Sequence, residues 1–344
     1  MSDIIVLGSC SVDFTCFAAR LPKAGETIHG KKFMTSFGGK GANQCVSAAK
    51  LGGKTALIAN LGNDKWGIEY KTYLEKLSIN TAQVHLKSDY DTGIAHISVA
   101  ESGENQIIIV AGANGSLTPG HVETMKDVWD SAKILVCQLE TPIDATLAAL
   151  KHFKGISILN AAPAQPCTND DLLKLPSIFC VNEVEASIIS GIDVSNVEEA
   201  NTAISIFLQR GCRTIIVTLG AEGAVFASQE DPVPIFVPAK KVAPTDTTPS
   251  GLSDRILGEI TLEAQGETDR VQLKATTTNS EAEKMEQCWW LAGGRRRERD
   301  PDTNTRSDGQ PEVHDTRGHT QGDTLRKMHA ESKNLPKNHN MKKK

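Results

Sequence analysis

No segment of this 344-residue chain is apolar for long enough to cross a bilayer. Its uncharged apolar runs, such as Ile107 to Ala113, stop far short of the roughly 20 residues a helical span needs. An excess of positive charge is also lacking, since 37 Lys and Arg stand against 42 Asp and Glu, giving 37 − 42 = −5. That balance offers no global attraction to nucleic acid or to an anionic membrane surface. The eight cysteines include no Cys-x-x-Cys pair, and several fall inside strand-like apolar runs, so buried free thiols are expected in place of disulfides or zinc ligands. The amino terminus enters a strand-like run at once, without the basic region, long apolar stretch and cleavage site of a secretory signal, and a cytoplasmic location is expected. Nor is there a Gly-x-x-x-x-Gly-Lys-Ser/Thr phosphate loop.

What the chain does have is length for one large α/β domain or two smaller ones, and a sharp change of composition near residue 250. Residues 1–250 carry 20 basic and 26 acidic side chains, net −6, whereas 251–344 carry 17 and 16, net +1. From Gly294 to Lys344 the only Leu, Ile, Val or Phe residues are Val313, Leu325 and Leu335. Such a segment buries too little apolar surface to offset its ordering entropy, so 1–250 is expected to fold and 251–344 to form a divergent, disordered polar tail. Within the tail only Ile256 to Ala264 reads as a short amphipathic helix.

Before residue 250, short apolar runs alternate with amphipathic stretches, the pattern of a doubly wound, mostly parallel α/β sheet covered by helices. Ile4 to Gly8, Thr55 to Leu61, Lys133 to Leu139, Ile156 to Leu159, Ile178 to Val181 and Thr214 to Leu219 read as buried strands. Gly41 to Leu51, Lys65 to Lys76, Pro119 to Ser131, Ile143 to Phe153, Glu183 to Ser190 and Val197 to Gln209 read as helices. Residues 14–37 and 92–110 break the rhythm. They read as antiparallel strands of a small separate sheet, the second a hairpin turning at Glu101-Ser-Gly-Glu, and such a sheet often serves as a lid.

The strongest local signal is Phe37-Gly-Gly-Lys-Gly-Ala-Asn-Gln-Cys, a glycine-rich turn opening a helix. Glycines let a backbone approach a ligand closely, and the helix start presents free N–H groups with Lys40 and Asn43 beside them, although a plain turn has the same look. Asp13 follows the first strand, where open α/β sheets bind ligands, and suits a bidentate grip on sugar hydroxyls; a helix cap is the plainer reading. Glu140 and Asn182 end two further apolar runs in the same way. Thr218-Leu-Gly-Ala-Glu-Gly223 ends another with two glycines, either a nucleotide cradle or a tight strand turn.

Taken in order, Gly38-Gly-Lys-Gly-Ala-Asn43-Gln, Leu21-Pro-Lys-Ala-Gly-Glu-Thr, Val110-Ala-Gly-Ala-Asn114, Asn182-Glu-Val-Glu185, Thr218 to Gly223 and Asp246-Thr-Thr resemble the ribokinase family of ATP-dependent sugar and nucleoside kinases over residues 1 to about 248. The resemblance implies a ribokinase-like doubly wound sheet with a small β lid that also forms a homodimer contact. It implies D-ribose and ATP as substrates, with Mg2+ and K+. Sugar binding falls to Ser11, Val12, Asp13, Gly39, Lys40, Gly41, Ala42, Asn43 and Glu140. The nucleotide falls to Asn182, Glu185, Thr218, Leu219, Gly220, Ala221, Glu222, Gly223 and Gly251, with Glu185 in the segment that organises the phosphate-bound magnesium. Asp246 and Thr248 are implied at a potassium site.

After Asp246-Thr-Thr the family pattern continues as a Gly-Ala-Gly-Asp turn, which holds the transferring phosphate and supplies the base. This chain reads Pro249-Ser-Gly251-Leu252 instead. Leu252 stands at the position of the base and accepts no proton, and Pro249 offers no N–H to an anion. The expectation is a ribokinase-type kinase impaired in this form. A non-catalytic sugar-binding or dimerising module, or fructokinase or nucleoside kinase specificity, is the alternative.

Overall fold

The computed structural model describes residues 2–130, 132–165 and 169–239, together with the backbone of three later strands. The chain divides into two units, Met1–Gly294 and Arg295–Lys344, and every described residue belongs to the first. That unit runs past the compositional break at residue 250 because it includes the three later strands.

Nine strands form the main sheet: β1 (Ile4–Leu7), β4 (Thr55–Gly62), β5 (Asn80–Lys87), β8 (Ile134–Cys137), β9 (Ile156–Asn160), β10 (Ile178–Asn182), β11 (Thr214–Thr218), β12 (Gly223–Ser228) and β13 (Ile235–Pro238). Their spatial order is β13-β12-β11-β10-β9-β8-β1-β4-β5, parallel except for the pairs β11–β12 and β12–β13. From β1 the chain moves outward through β4 and β5, then returns to place β8 on the other side of β1 and continues to β11. The order therefore reverses between β1 and β8, and at such a switch point the connections leave in opposite directions and open a crevice beyond the carboxyl ends of the strands.

The connecting helices divide by half. α1 (Lys40–Lys50) and α2 (Lys65–Lys76) cover one face, packing Ala42, Cys45, Tyr70 and Leu74 against Ile4, Val6, Leu57 and Ala59. α3 (Pro119–Glu123), α4 (Lys126–Trp129), α5 (Ile143–His152), α6 (Asp171–Lys174), α7 (Glu183–Ser190) and α8 (Val197–Gln209) belong to the other face, where Ile5, Leu7, Leu135, Phe179, Val181, Ile215 and Val217 are buried. Strands buried on both faces explain the continuous apolar runs in the sequence.

The small sheet has the order β3-β2-β6-β7, with β2 (Ser11–Ala18), β3 (Gly30–Gly38), β6 (Gly93–Ala100) and β7 (Asn105–Val110). Both hairpins are antiparallel as expected, but the central pair β2–β6 is parallel. The chain passes through β4 and β5 between the two hairpins and enters β6 in the direction of β2. Two contacts tie this sheet to α2. Phe14 meets Trp66 edge-on with ring centroids 5.4 Å apart. Asp64, the cap of α2, accepts the Gly67 N–H at 2.8 Å and the Thr92 N–H at 2.7 Å, just before β6 begins. Burial alone raises the pKa of Asp64, but the hydrogen bonds from Thr92 and Gly67 outweigh it and hold the carboxyl below its ordinary value.

Local reading fails in three places. The stretch from Pro119 is two short helices, since Thr124 caps the first and Met125 intervenes. β5 is an edge strand of mostly polar residues, whose register shifts beside Ala56, so its apolar alternation is broken. Ile260–Ala264, expected as helix, is a strand and pairs with Val271–Ala275, which pairs in turn with Cys288–Leu291. Ile260, Leu262 and Ala264 alternate with Thr261 and Glu263, the two-residue period of a strand, and a second alternating run follows to pair with it.

Cys10, Cys45, Cys137 and Cys180 are buried free thiols, and Cys212 is buried as well. Burial pushes the Cys45 and Cys180 thiols up to about 12, which keeps them protonated and inert. Among the described residues no helix is long and apolar enough to cross a membrane.

Candidate active site

The crevice at the switch point is closed by a polar knot. Ser9, just beyond β1, donates its hydroxyl to Glu140 Oε2 at 2.5 Å, and Glu140 follows β8. The same carboxylate oxygen accepts the Lys40 backbone N–H at 2.9 Å, at the first turn of α1. A carboxylate there satisfies an otherwise unpaired donor and complements the positive end of the helix. The Gly41 N–H reaches Ser9 Oγ at 3.3 Å and the Ala42 N–H reaches the Ser9 carbonyl at 2.9 Å. The glycine turn, Ser9 and Glu140 thus form one unit, which neither sequence run shows by itself.

Glycine is required here for contact as much as for conformation. Gly39 precedes α1 at φ 92°, the left-handed region that favours glycine. A Cβ on Gly41 would lie 2.6 Å from the Gly8 backbone, and one on Gly38 would lie 2.3 Å from Asp13 Oδ2. Asp13 is buried on β2, opposite Ser36, so its carboxylate rests against the turn itself. We expect Gly41→Ala to force α1 off β1 and destabilise the protein by about 1–3 kcal/mol. Gly120→Ala, in α3 with nothing within 4 Å of the added carbon, is the matched control and is expected to leave stability within ~0.5 kcal/mol. Urea unfolding of both variants checks the pair.

Ser11 pairs with Gly38 across β2 and β3, and Val12 is fully buried. Asn43 is half-buried one turn into α1, and its backbone N–H donates to the Gly39 carbonyl at 2.9 Å. Asn114 carries a structural role beyond its place in the Val110-Ala-Gly-Ala-Asn114 motif. Its amide accepts the Cys10 N–H at 2.8 Å and donates to the Cys10 carbonyl at 2.8 Å, holding the chain between β1 and β2. The Ala-Gly-Ala-Asn run was its signal, because Gly112 sits at φ 52° against the Asp91 carbonyl and turns Asn114 inward. Tyr70 supports the turn from below, donating its hydroxyl to the Gly38 carbonyl at 2.6 Å while its ring stacks on Phe37. Burial, with Cys10 and Asp13 nearby, drives the Tyr70 pKa up, so the hydroxyl keeps that proton.

The second group lies at the ends of β10 and β11. Asn182 and Thr218 are partners in register, so α7 and the following turn start side by side. Asn182 caps α7 through a reciprocal box: Glu185 donates its N–H to Asn182 Oδ1 at 2.8 Å, and Asn182 donates its N–H to Glu185 Oε2 at 2.8 Å. Leu219 to Glu222 is a tight turn between β11 and β12, with Gly220 at φ 49° and Gly223 at φ 134°. Leu219 is buried in the core, whereas Ala221 and Glu222 are exposed at the tip. Asp246, Thr248, Gly251 and Leu252 lie outside the described residues.

The two polar groups lie beyond the carboxyl ends of β1 and β8 and of β10 and β11, with β9 between them, and residues 1–251 match the family described as pfkB family carbohydrate kinase. The chain belongs to the pfkB family of carbohydrate kinases. Its family members are ATP-dependent sugar kinases, and this chain falls among the ribokinases. A ribokinase from Mus musculus is 44% identical over 260 residues, covering 75% of this chain and 80% of that protein. A ribokinase from Haemophilus influenzae is 38% identical over 230 residues, 66% of this chain and 74% of that one. Among solved structures, Arabidopsis thaliana ribokinase complexed with ribose and ATP matches with a TM-score of 0.66 at 29% identity, over 75% of this chain and 84% of that one. Giardia lamblia ribokinase matches with a TM-score of 0.69 at 28% identity, over 76% and 82%. The family assignment, the mostly parallel sheet and the small separate sheet agree with the expectation from sequence.

Proposed function

We propose that the chain is built for ribokinase-type transfer of the ATP γ-phosphate to the 5-hydroxyl of D-ribose, and that its sugar half is intact while its catalytic turn is not. The observation that carries the reading is the knot of Ser9, Glu140 and the α1 start at the switch point, with Asp13 packed on Gly38 beside it. The carboxylates of Asp13 and Glu140, set beside the start of α1, suit a polyol, because a carboxylate accepts hydroxyl protons in pairs. Ribose would be held by Ser11, Asp13, Gly39, Lys40, Asn43 and Glu140, with Val12, Gly41 and Ala42 supplying backbone and shape.

The start of α7 and the 218–223 turn fit a nucleotide's phosphates. They offer backbone donors in register on adjacent strands, and the turn backbone is open at Gly220. Among the described residues no group of three or more His, Cys, Asp or Glu is arranged to hold a metal. A donor set of this kind suits Mg2+ carried by the phosphates and water more than a protein cage, with Glu185 in the segment that would organise it. Bound ATP supplies the phosphoryl group; Asn182, Glu185 and the turn orient it, and in such a reaction positioning and charge stabilisation are most of the catalysis. Asp246 and Thr248 remain the residues proposed for K+. The test is calorimetric titration of the full chain with D-ribose and, separately, with a non-hydrolysable ATP analogue. Binding of the nucleotide without the sugar would overturn the reading.

A homodimer through the lid is part of the proposal. β7 is an edge strand whose Ile107, Ile108, Ile109 and Val110 are all about half-exposed or more, with Ile108 at 67%. Four consecutive apolar residues on an unpaired edge suit a second copy of this chain. Ile108→Lys is expected to shift the sedimentation-derived mass from dimer to monomer; an unmodified chain that is monomeric at micromolar concentration would defeat the assignment.

A second reading, a non-catalytic sugar-binding or dimerising module, is favoured by the Pro249-Ser-Gly-Leu252 sequence. Ribose binding with no turnover even at high enzyme concentration would select it.

A further inference from the structure

The crevice has a floor that neither half of the proposed site uses. β9 lies between β8 and β10, so its carboxyl end falls between Glu140 and Asn182. That end is Asn160, 3% exposed, and among the described residues neither pole of its amide has a hydrogen-bond partner. Asn160 pairs in register with Cys180, and the step after the Cys137–Leu159 pair sets Gln138 beside it. Gln138 is fully buried; its Nε2 donates to Gln44 Oε1 on α1, while its Oε1 has no partner. Gly8 leaves room for this amide, since a Cβ there would fall 2.0 Å from Gln138 Oε1. Alternation along the strands puts Asn160 and Gln138 on the α1 face, with Ile158 and Cys180.

An apolar residue at this position would continue the core without cost, whereas a buried amide with both poles unpaired is destabilising. Polar groups left in that state in native proteins mark sites of function. The chemistry of the amide narrows the ligand. A phosphate oxygen only accepts and a cation takes only acceptors, but a hydroxyl matches a donor and an acceptor together. Asn182 ends β10 two residues beyond the Cys180 that pairs with Asn160, about 7 Å further along the strand, and Glu140 follows Gln138 by two residues after β8.

We propose that Asn160, with Gln138 beside it, is a further sugar-positioning residue, whose amide holds the accepting hydroxyl of the sugar, directly or through one bound water, where the sugar half meets the nucleotide half. The inference rests on the ribokinase-type reading and adds to it the group that aligns the reacting oxygen.

The test is calorimetric titration of the full chain, Asn160→Ala and Asp13→Ala with D-ribose and with 5-deoxyribose. Asn160→Ala is expected to weaken ribose roughly tenfold and to leave 5-deoxyribose unchanged, because the hydroxyl it holds is already missing. Equal losses for both sugars, or no loss for either, overturn the proposal. Asp13→Ala is expected to weaken both sugars alike. An unmodified chain that binds no ribose, or one indifferent to Asp13→Ala, defeats the sugar site and this inference with it; dependence on Asp13 but not on Asn160 defeats the floor alone. Asn160→Leu supplies a second readout. It is expected to raise the thermal midpoint of the unliganded protein while lowering ribose affinity, and a lowered midpoint with unchanged affinity would make the amide structural and overturn the proposal.

Discussion

Ribose phosphorylation by the unmodified chain is expected to run about 10⁴- to 10⁷-fold below that of a version whose residues after Thr248 are replaced by a family-like carboxy-terminal segment. The range combines two losses: a general base typically contributes 10²- to 10⁴-fold, and one donor to a developing anion contributes about 10²- to 10³-fold. Both are expected at Pro249-Ser-Gly-Leu252, where Leu252 has no proton acceptor and Pro249 has no N–H. Asp254 lies two residues late, on a different side of any helix that starts here. Leu252→Asp alone is expected to recover little, since it restores the base and leaves the donors missing. Steady-state rates for the three proteins decide the matter. Robust turnover by the unmodified chain would mean that another carboxylate, with Asp254 the first suspect, serves as base.

The sequence exposed the parallel core well, because strands buried on both faces carry uninterrupted apolar runs such as Ile134-Leu-Val and Thr214-Ile-Ile-Val, and helices between them end at glycines such as Gly191, which is left-handed in the structure. Elements whose stability comes from partners were harder to read. β12 and β13 owe their strand form to the antiparallel edge beyond β11, and β5 to pairing across a bulge, so neither shows a clean period. The site divides in the same way. Glu140 and Asn182 stood out because each ends an apolar run, a local signal of a strand tip, whereas Asp13, expected at the end of the first strand, lies within β2 of the small sheet. Ser9 and Asn160 did not, since their significance lies in what is opposite them: Glu140 for the first, and for the second the lack of a partner among the described residues. Asn182 and Glu185 satisfy the start of α7 as a capping box, so their local signal in the sequence is that of a helix cap as much as of the proposed phosphate site.

Asp13→Ala is expected to weaken ribose binding about 5- to 150-fold, the range of 1–3 kcal/mol for a buried polar group that holds a substrate hydroxyl. The carboxylate is 6% exposed and is set by two restraints that do not depend on sugar: the β2–β3 register, which places it opposite Ser36, and the missing side chain of Gly38, into whose space it extends. A group fixed before the ligand arrives gives up little conformational freedom on binding, so most of its hydrogen-bond energy appears in the affinity. Asp13→Asn separates shape from charge. The amide keeps the size of the carboxylate but accepts at one atom only, so it is expected to lose the bidentate grip and fall between the wild type and Asp13→Ala. Titration calorimetry on the three proteins, with thermal unfolding to show that each is folded, measures the series. Equal ribose affinity in all three would remove Asp13 from the sugar site and leave the Ser9–Glu140–Lys40 knot as a fastening of α1 to β1 and β8.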